Sequence, residues 1–547
     1  MLGSAAAHGQ STSGQPPAVA DLNADVVRPA KPKTDEAGAL FPRLVPGKRS
    51  SIGLVLEGGG ALGLAHIGVL FWFEQNRIPV DRIAGTSMGA LLGALYASGY
   101  TPADMQKLAT SDLFAEIFTL QTPYDQIGYR RRQDRRDLPQ AFTLGLRHGV
   151  GFRNAVLSDV PLSTLLRKEF ISYNSVDGDF DHMPIPFRCV ATDLNTLEPL
   201  VFRAGPLPEA VRASISIPGA FAPVKYKDHY LIDGALSDNL PTSVVRRDLQ
   251  AEVVIAVHLR TASLTDSDMN SLFGLFSRAL AAGSAKTERA GMNDADLLLT
   301  AETETFTTTD YGKAKELISV GFRAAEQQAA NLLRYQLSEE EWQSHLRDRR
   351  SRIAPPPGRL LQVHVEGGSE AARKSVEKSL GSLGGEPIEA SRIGNALRLV
   401  EGAGNHDTSF DTYHPTQQPT SAGERVPSPD TGVLVHLGDP RNGPPFLMVG
   451  GDIMAVTSNV TRSDVNFRYV HQDLGGYGSE LRADARFVFL THGSIEYYRP
   501  LFASGLFIQP RLAITRQPVY LWRNQERVSE WFQQQAGGGF DIGTIAP

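Results

Sequence analysis

A chain of 547 residues is longer than one ordinary hydrophobic core organises, so several domains are expected. With 41% hydrophobic and 21% charged residues it has the make-up of a chain that folds in bulk, which excludes wholesale disorder and a polytopic helical membrane protein. A net charge of -6 leaves no electrostatic footprint for a nucleic-acid partner, and a single cysteine, Cys189, excludes an internal disulfide and a multi-thiolate metal site.

Residues 1–49 are rich in Ala, Gly, Ser, Gln and Pro without hydrophobic periodicity and read as a disordered leader. The opening MLGSAAAHGQSTSGQPPAVA has neither the basic nor the apolar region of a signal peptide, and no apolar run reaches the length of a spanning helix. Folded structure is expected from Ser51. SIGLVLEGGG reads as a short buried strand closing on a glycine turn, and ALGLAHIGVLFWFEQN as a helix enclosed on all sides. A second strand, turn and helix follow in RIAGTSMGALLGALYASG, with Gly99 as the helix C-cap. The basic run Arg130-Arg131-Arg132 with Arg135 and Arg136 is interspersed with aspartates and reads as a solvated loop. PFRCVATD, with Cys189 as a small buried hydrophobe, and AEVVIAVHL read as further strands. Helical stretches such as 313–337 alternate with them, so residues 50–353 are expected to form an α/β domain with a mainly parallel sheet.

APPPG at 354–358 breaks the chain, because consecutive prolines cannot continue a helix. Beyond it, 359–438 reads as a small α+β module: strand LLQVHVEG, helices in SEAARKSVEKSLGSLGG and EASRIGNALRLVEGAG, and a returning strand TGVLVHLGD. The Pro/Ser/Thr-rich stretch 407–430 inside it reads as a loop or a degraded strand pair. From 439 to 547 the pattern changes to two-sided alternation, as in DVNFRYVHQD, ELRADARFVFLTHG and LFIQPRLAITR. That pattern suits outer-membrane strands and an ordinary antiparallel sheet alike.

Gly85-Thr86-Ser87-Met88-Gly89 places a G-x-S-x-G between a strand and a helix. Its glycines, Gly85 and Gly89, permit the sharp turn that exposes a serine hydroxyl at a helix head. The bland alternative is a serine N-cap. Gly58-Gly59-Gly60 ends the preceding strand, where side-chain-free N–H groups can approach an oxyanion. Gly58, Gly60 and Gly63 also fit a dinucleotide G-x-G-x-x-G, but the next strand ends in GTS where that fingerprint wants an acid. A serine nucleophile needs a base. Asp233 in LIDGALSDN stands at a strand end. His258 in VVIAVHLR would complete a Ser, Asp, His order, Asp238 suits a cap or loop, and His66 suits packing of the glycine loop.

Three blocks taken together, EGGGALGLAHIGVL at 57–70, GTSMGA at 85–90 and ASISIPGAFAPV with DGAL at 213–236, resemble the patatin-like phospholipases. The resemblance covers roughly 51–350. It implies a patatin-like three-layer α/β domain in which Ser87 and Asp233 form a dyad cleaving acyl esters of lipids, of the phospholipase A or lysophospholipase type. Gly58, Gly59 and Gly60 would be the oxyanion hole, with no cofactor and no metal. Family members generally carry Arg or Lys where Leu62 stands, so an anion contact near the glycine turn is absent. A catalytically silent binding or secretion module, or a Ser-His-Asp esterase using His258, are the alternatives. The order of units is similar to the bacterial type V secreted lipases. That likeness implies a POTRA-like module at 359–438 and, at 439–547, the N-terminal part of an incomplete outer-membrane β-barrel. The expected partners are a phospholipid or other acyl-ester lipid and a membrane surface, and the expected location is the bacterial outer membrane or cell surface.

Overall fold

A computed structural model describes residues 49–544 apart from 112–113, 115–116, 118–128, 140, 148–150, 153–158, 262–271, 405–406, 414–429, 439–442, 458–459, 502–505 and 525. Residues 1–48 of the expected leader therefore lie outside the described residues.

The first unit is built on a twisted sheet in which strands Leu297–Glu302, Val253–Arg260, β1 (Ile52–Leu56), β2 (Arg82–Thr86) and Phe187–Asp193 lie side by side and parallel. His229–Asp233 and Val224–Tyr226 extend it antiparallel. The β1 sequence is a continuous apolar run because both faces of the sheet are covered. Leu54 and Leu56 join one core cluster with helices α1 (Ala65–Gln75) and α2 (Met88–Ser98), while Val55 joins another with Leu240, Val244 and Val245. The result is the helix–sheet–helix layering expected from the sequence. Helix α1 is buried almost throughout since helix Ala314–Gln327 lies against it, so close that a Cβ on Gly321 would stand 1.7 Å from the Ala65 carbonyl.

Beyond the prolines, strands Arg359–Gly367, Asp430–Gly438 and Asp407–Tyr413 form a three-stranded sheet, the first two parallel. Helices Glu370–Gly381 and Ala390–Gly404 cover it, with Val376, Leu380, Ile393 and Leu397 in a core of their own. Of the two readings of 407–430, a loop or a degraded strand pair, the second describes its start, where Asp407–Tyr413 is a strand paired with Asp430–Gly438. It seats on the first unit through Asn174, whose Nδ2 donates to the Phe410 carbonyl at 2.9 Å.

From Phe446 the chain runs as an antiparallel meander ending in Leu506–Arg523 and Glu526–Thr544, the last a strand that the alternation in the sequence did not reveal. Gly537-Gly538-Gly539 and three successive glutamines there erase the two-sided pattern. A second surprise is the far end, where Phe142–Gly145, from inside the first unit, pairs with Phe446–Val449 and Gly151–Phe152 follows it at the edge. One face of the meander is apolar and exposed, with Leu512, Phe540 and Ile542 each more than half open to solvent. The other face carries Glu480, Arg482, Asp484, Asn466 and Arg468.

That polar face corrects the reading of the arginine run. Residues Tyr129–Asp137 are a helix, not a solvated loop, and it lies on the meander's charged side. Arg130 reaches Glu480 at 3.2 Å and Glu496 at 2.5 Å, while Asp134 meets Arg468 at 2.8 Å and Arg482 at 3.0 Å. A charge run normally prefers water. Here alternating signs on the helix match alternating signs on the strands, so each buried charge finds partners. Glu480 is shared by Arg130, Arg131 and Arg482. Replacing it with alanine should cost about 3–5 kcal/mol, the scale for breaking a buried ion pair. The loss is expected first as faster amide exchange in 129–137 and the neighbouring strands, ahead of the parallel sheet. Unchanged protection in E480A would show the network to be energetically idle.

Candidate active site

Parallel pairing aligns the ends of three strands. Leu56 faces Gly85 across β1 and β2, Thr86 faces Val190, and Ala191, one residue on, faces Asp233. Ser87 therefore emerges level with Asp233, and the two side chains meet over the strand between them. Ser87 Oγ donates to Asp233 Oδ2 at 2.7 Å, with both residues buried.

Ser87 has φ 53° and ψ -121°, a strained conformation for a residue with a side chain. The turn is held by close backbone contacts on each side. A Cβ on Gly85 would stand 2.4 Å from the Gly89 carbonyl oxygen, and one on Gly89 would stand 2.2 Å from that of Leu56. The Ser87 N–H donates to Ser214 Oγ at 2.9 Å, and Ser214 passes its own hydrogen to the Val190 carbonyl at 2.6 Å. Two residues on, the Ser216 carbonyl accepts from the Asp233 N–H at 2.9 Å. Arg212 ties this brace together from inside, donating to Ser216 Oγ at 2.7 Å. Motif reading missed these supports. Both serines lie in the ASISIPGAFAPV block, and the alternation R-A-S-I-S puts Ser214 and Ser216 on one side of the turn that ends helix Leu207–Ser214.

The other oxygen of Asp233, Oδ1, accepts from the Ala235 N–H at 2.9 Å. Burial pushes this carboxyl up to about 6, a rise that the Ala235 and Ser87 hydrogen bonds oppose. Asp238, also enclosed, is pushed up by burial to about 7. Its carbonyl accepts from Thr86 Oγ1 at 2.8 Å, which makes it a brace for the strand end.

The glycine turn lies beside the elbow. The Gly58 N–H is spent on the Asn239 carbonyl at 3.3 Å, Ala61 on Thr308 at 2.9 Å and Leu62 on Gly59 at 3.2 Å. Among the described residues the N–H groups of Gly59 and Gly60 have no such partner. Gly60 has φ 57°, and a Cβ there would strike the Thr308 carbonyl at 2.5 Å, so only glycine fits. Leu62 is buried in the main core, and its side chain brings no charge to the turn.

The histidines stand elsewhere. His66 Nε2 bonds the Glu57 carbonyl at 2.8 Å, and burial pulls its ring down to about 4, so it braces the turn as a neutral group. His258 Nδ1 bonds Glu57 Oε2 at 2.9 Å instead of Asp233. Because the Asp233 oxygens are occupied by Ser87 and Ala235, the Ser-His-Asp arrangement is not formed. Glu57, His258 and Glu288 are close enough to suggest a metal cluster. The donor set speaks against one, because Glu57 Oε1 accepts from Asn239 Nδ2 at 3.2 Å and Oε2 from the Leu259 N–H at 2.5 Å.

A serine on a strained strand-to-helix turn at the ends of parallel strands, bonded to a carboxylate and flanked by a glycine turn, defines a nucleophile-elbow α/β domain. Residues 54–246 match the family model described as patatin-like phospholipase, and that region of the chain is a patatin-like phospholipase domain. The chain is 33% identical over 232 residues to an uncharacterized NTE family protein of Mycobacterium tuberculosis, covering 42% of this chain and 33% of that one. A patatin-like phospholipase domain-containing protein of Caenorhabditis elegans is 34% identical over 38% of this chain and 13% of its own length. The match thus spans a third or less of these relatives. Among solved structures, VipD from Legionella pneumophila aligns over 53% of this chain and 67% of its own at 16% identity, with a TM-score of 0.29 that fixes neither fold nor function.

A raised pKa means that folding favours the neutral form of Asp233, so stability is lost as pH rises through about 6. D233N carries no charge and should melt higher than the wild type above pH 6, with the difference closing as pH falls toward about 4. Melting curves across that range read this directly. An equal gap at every pH would mean that Asp233 is not held as a buried acid.

Proposed function

We propose that the chain is a lipid acyl hydrolase working through a Ser87–Asp233 dyad, a reading carried by the 2.7 Å hydrogen bond between Ser87 Oγ and Asp233 Oδ2 in a buried site. Above about pH 6 the Asp233 carboxylate is ionised and takes the Ser87 proton as oxygen attacks the ester carbonyl. The tetrahedral oxyanion forms against Gly59 and Gly60, whose N–H groups are uncommitted, rather than Gly58. Protonated Asp233 then returns its proton to the departing alcohol, leaving an acyl ester on Ser87. Water, deprotonated by the same carboxylate, releases the fatty acid. Burial supports Asp233 in this work, since a carboxylate of ordinary acidity is a weak base near neutrality and one raised toward 6 is better matched.

The architecture of the remainder supports action at a membrane. In this reading 359–438 is a POTRA-like module and the meander from Phe446 supplies strands of an outer-membrane barrel, its apolar face toward lipid and its charged face toward the lumen. Leu512, Phe540 and Ile542 exposed on one face are costly in water and at home against acyl chains.

Turnover of a short-chain p-nitrophenyl ester tests the dyad. S87A should fall to background, D233N should lose about 10²–10⁴-fold in kcat, and the wild-type rate should drop as pH falls below about 6. A fluorophosphonate probe should label Ser87 in the wild type and far more slowly in D233N. Undiminished hydrolysis by S87A would remove the assignment, and an unlabelled, inactive wild type would favour the silent module that Leu62 allows.

A further inference from the structure

We infer that His258 is a positioning residue for the oxyanion hole, acting through Glu57 on the glycine turn, an inference that rests on the hydrolase reading above. Glu57 is the residue between the end of β1 and Gly58, so wherever its side chain is fixed the turn begins. Every polar atom of its side chain and its carbonyl is held. His66 Nε2 holds the carbonyl at 2.8 Å, Asn239 Nδ2 holds Oε1 at 3.2 Å, and Oε2 takes both the Leu259 N–H at 2.5 Å and His258 Nδ1 at 2.9 Å.

Asn239 grips the next residue as well. Its carbonyl accepts from the Gly58 N–H at 3.3 Å, and its Nδ2 reaches the Gly58 carbonyl at 3.3 Å. The clamp therefore ends one residue before the two N–H groups that are free among the described residues, and on the far side Ala61 is tied to Thr308. Two glycines with little intrinsic preference are suspended between fixed ends, and their N–H direction is set by those ends.

A buried carboxylate at this point needs a reason. Glu57 is 2% exposed, and an apolar residue would fill the space without desolvating a charge. Hydrogen bonds from a strand, a loop and helix α1 supply what packing cannot, a fixed orientation of the chain as it leaves β1. Among the donors to the carboxylate His258 is the one ionisable group. Burial pulls its ring down, but the Glu57 bond together with the negative charges of Glu57 and Glu288 more than offsets this, so the imidazole stays above its ordinary value and donates through Nδ1. Glu288, 3.8 Å from the same nitrogen, adds to that effect, and Arg260 opposes it. Placed this way, His258 serves the reaction without touching substrate or Ser87.

Removing the Nδ1 donor leaves Glu57 buried with one partner fewer and loosens the approach to Gly59 and Gly60. A misdirected donor is felt in the transition state and hardly in substrate binding. His258→Ala should therefore lower kcat about 10- to 100-fold on a p-nitrophenyl ester with KM within about twofold. His258→Asn, whose Nδ2 can stand where Nδ1 stood, should recover most of that loss. Both variants are to be compared in the full chain alongside S87A, with melting temperatures to confirm folding. Wild-type kcat in a folded His258→Ala, or a deficit equal in the Asn variant, would overturn the positioning role while leaving the dyad standing. Wild-type turnover by S87A would instead overturn the hydrolase reading itself. If His258→Ala does not fold, the Asn variant decides alone, since a fall of tenfold or more in its kcat would count against the role. Activity abolished by EDTA and restored by a divalent cation would assign Glu57, His258 and Glu288 to a metal and also overturn it.

Discussion

The feature on which the rest of the site depends is the parallel pairing of β1, β2 and Phe187–Asp193. Parallel strands end at the same level, so three chain reversals are delivered to one edge of one sheet. One reversal carries the glycine turn, one carries Ser87, and the third stands beside the antiparallel strand that brings Asp233. The 2.7 Å contact between Ser87 and Asp233 is then a consequence of register more than of any local preference. A shift of one residue in either pairing would turn one of the two side chains to the opposite face.

Strain and polarity are concentrated at that edge, and the surroundings compensate for both. Ser87 is held at positive φ by glycines that let the backbone close in and by Ser214 on its N–H. Asp233 is kept away from water at a cost to stability that its two hydrogen bonds only partly offset. Glu57 is buried and saturated with donors. The second charged interior, between helix Tyr129–Asp137 and the meander, follows a different logic. It is an interface of matched rows, and it joins the α/β unit to the terminal sheet.

Much of this was legible in the chain. G-x-S-x-G after a strand, a glycine turn one strand earlier and an aspartate at a later strand end are local patterns, and each marks a place where the backbone must do something unusual. The module after the prolines was legible for the same reason, since two amphipathic helices and two strands announce themselves by period. Less legible were features made by partners far apart in sequence. Arg130 reads as solvated until Glu480 and Glu496 are across from it, 350 or more residues away. The strand Phe142–Gly145 is too short for alternation to show, and Glu526–Thr544 has a pattern diluted by glycine and glutamine.

Sequence by itself determined which residues could take part: a serine in a turn only glycines allow, a strand-end aspartate, and a two-faced terminal segment. Tertiary structure decided which of them meet. It joined Ser87 to Asp233, turned His258 toward Glu57, committed Gly58 to Asn239 and left Gly59 and Gly60 open, because hydrogen-bond partners are chosen by sheet register and packing, not by neighbours along the chain.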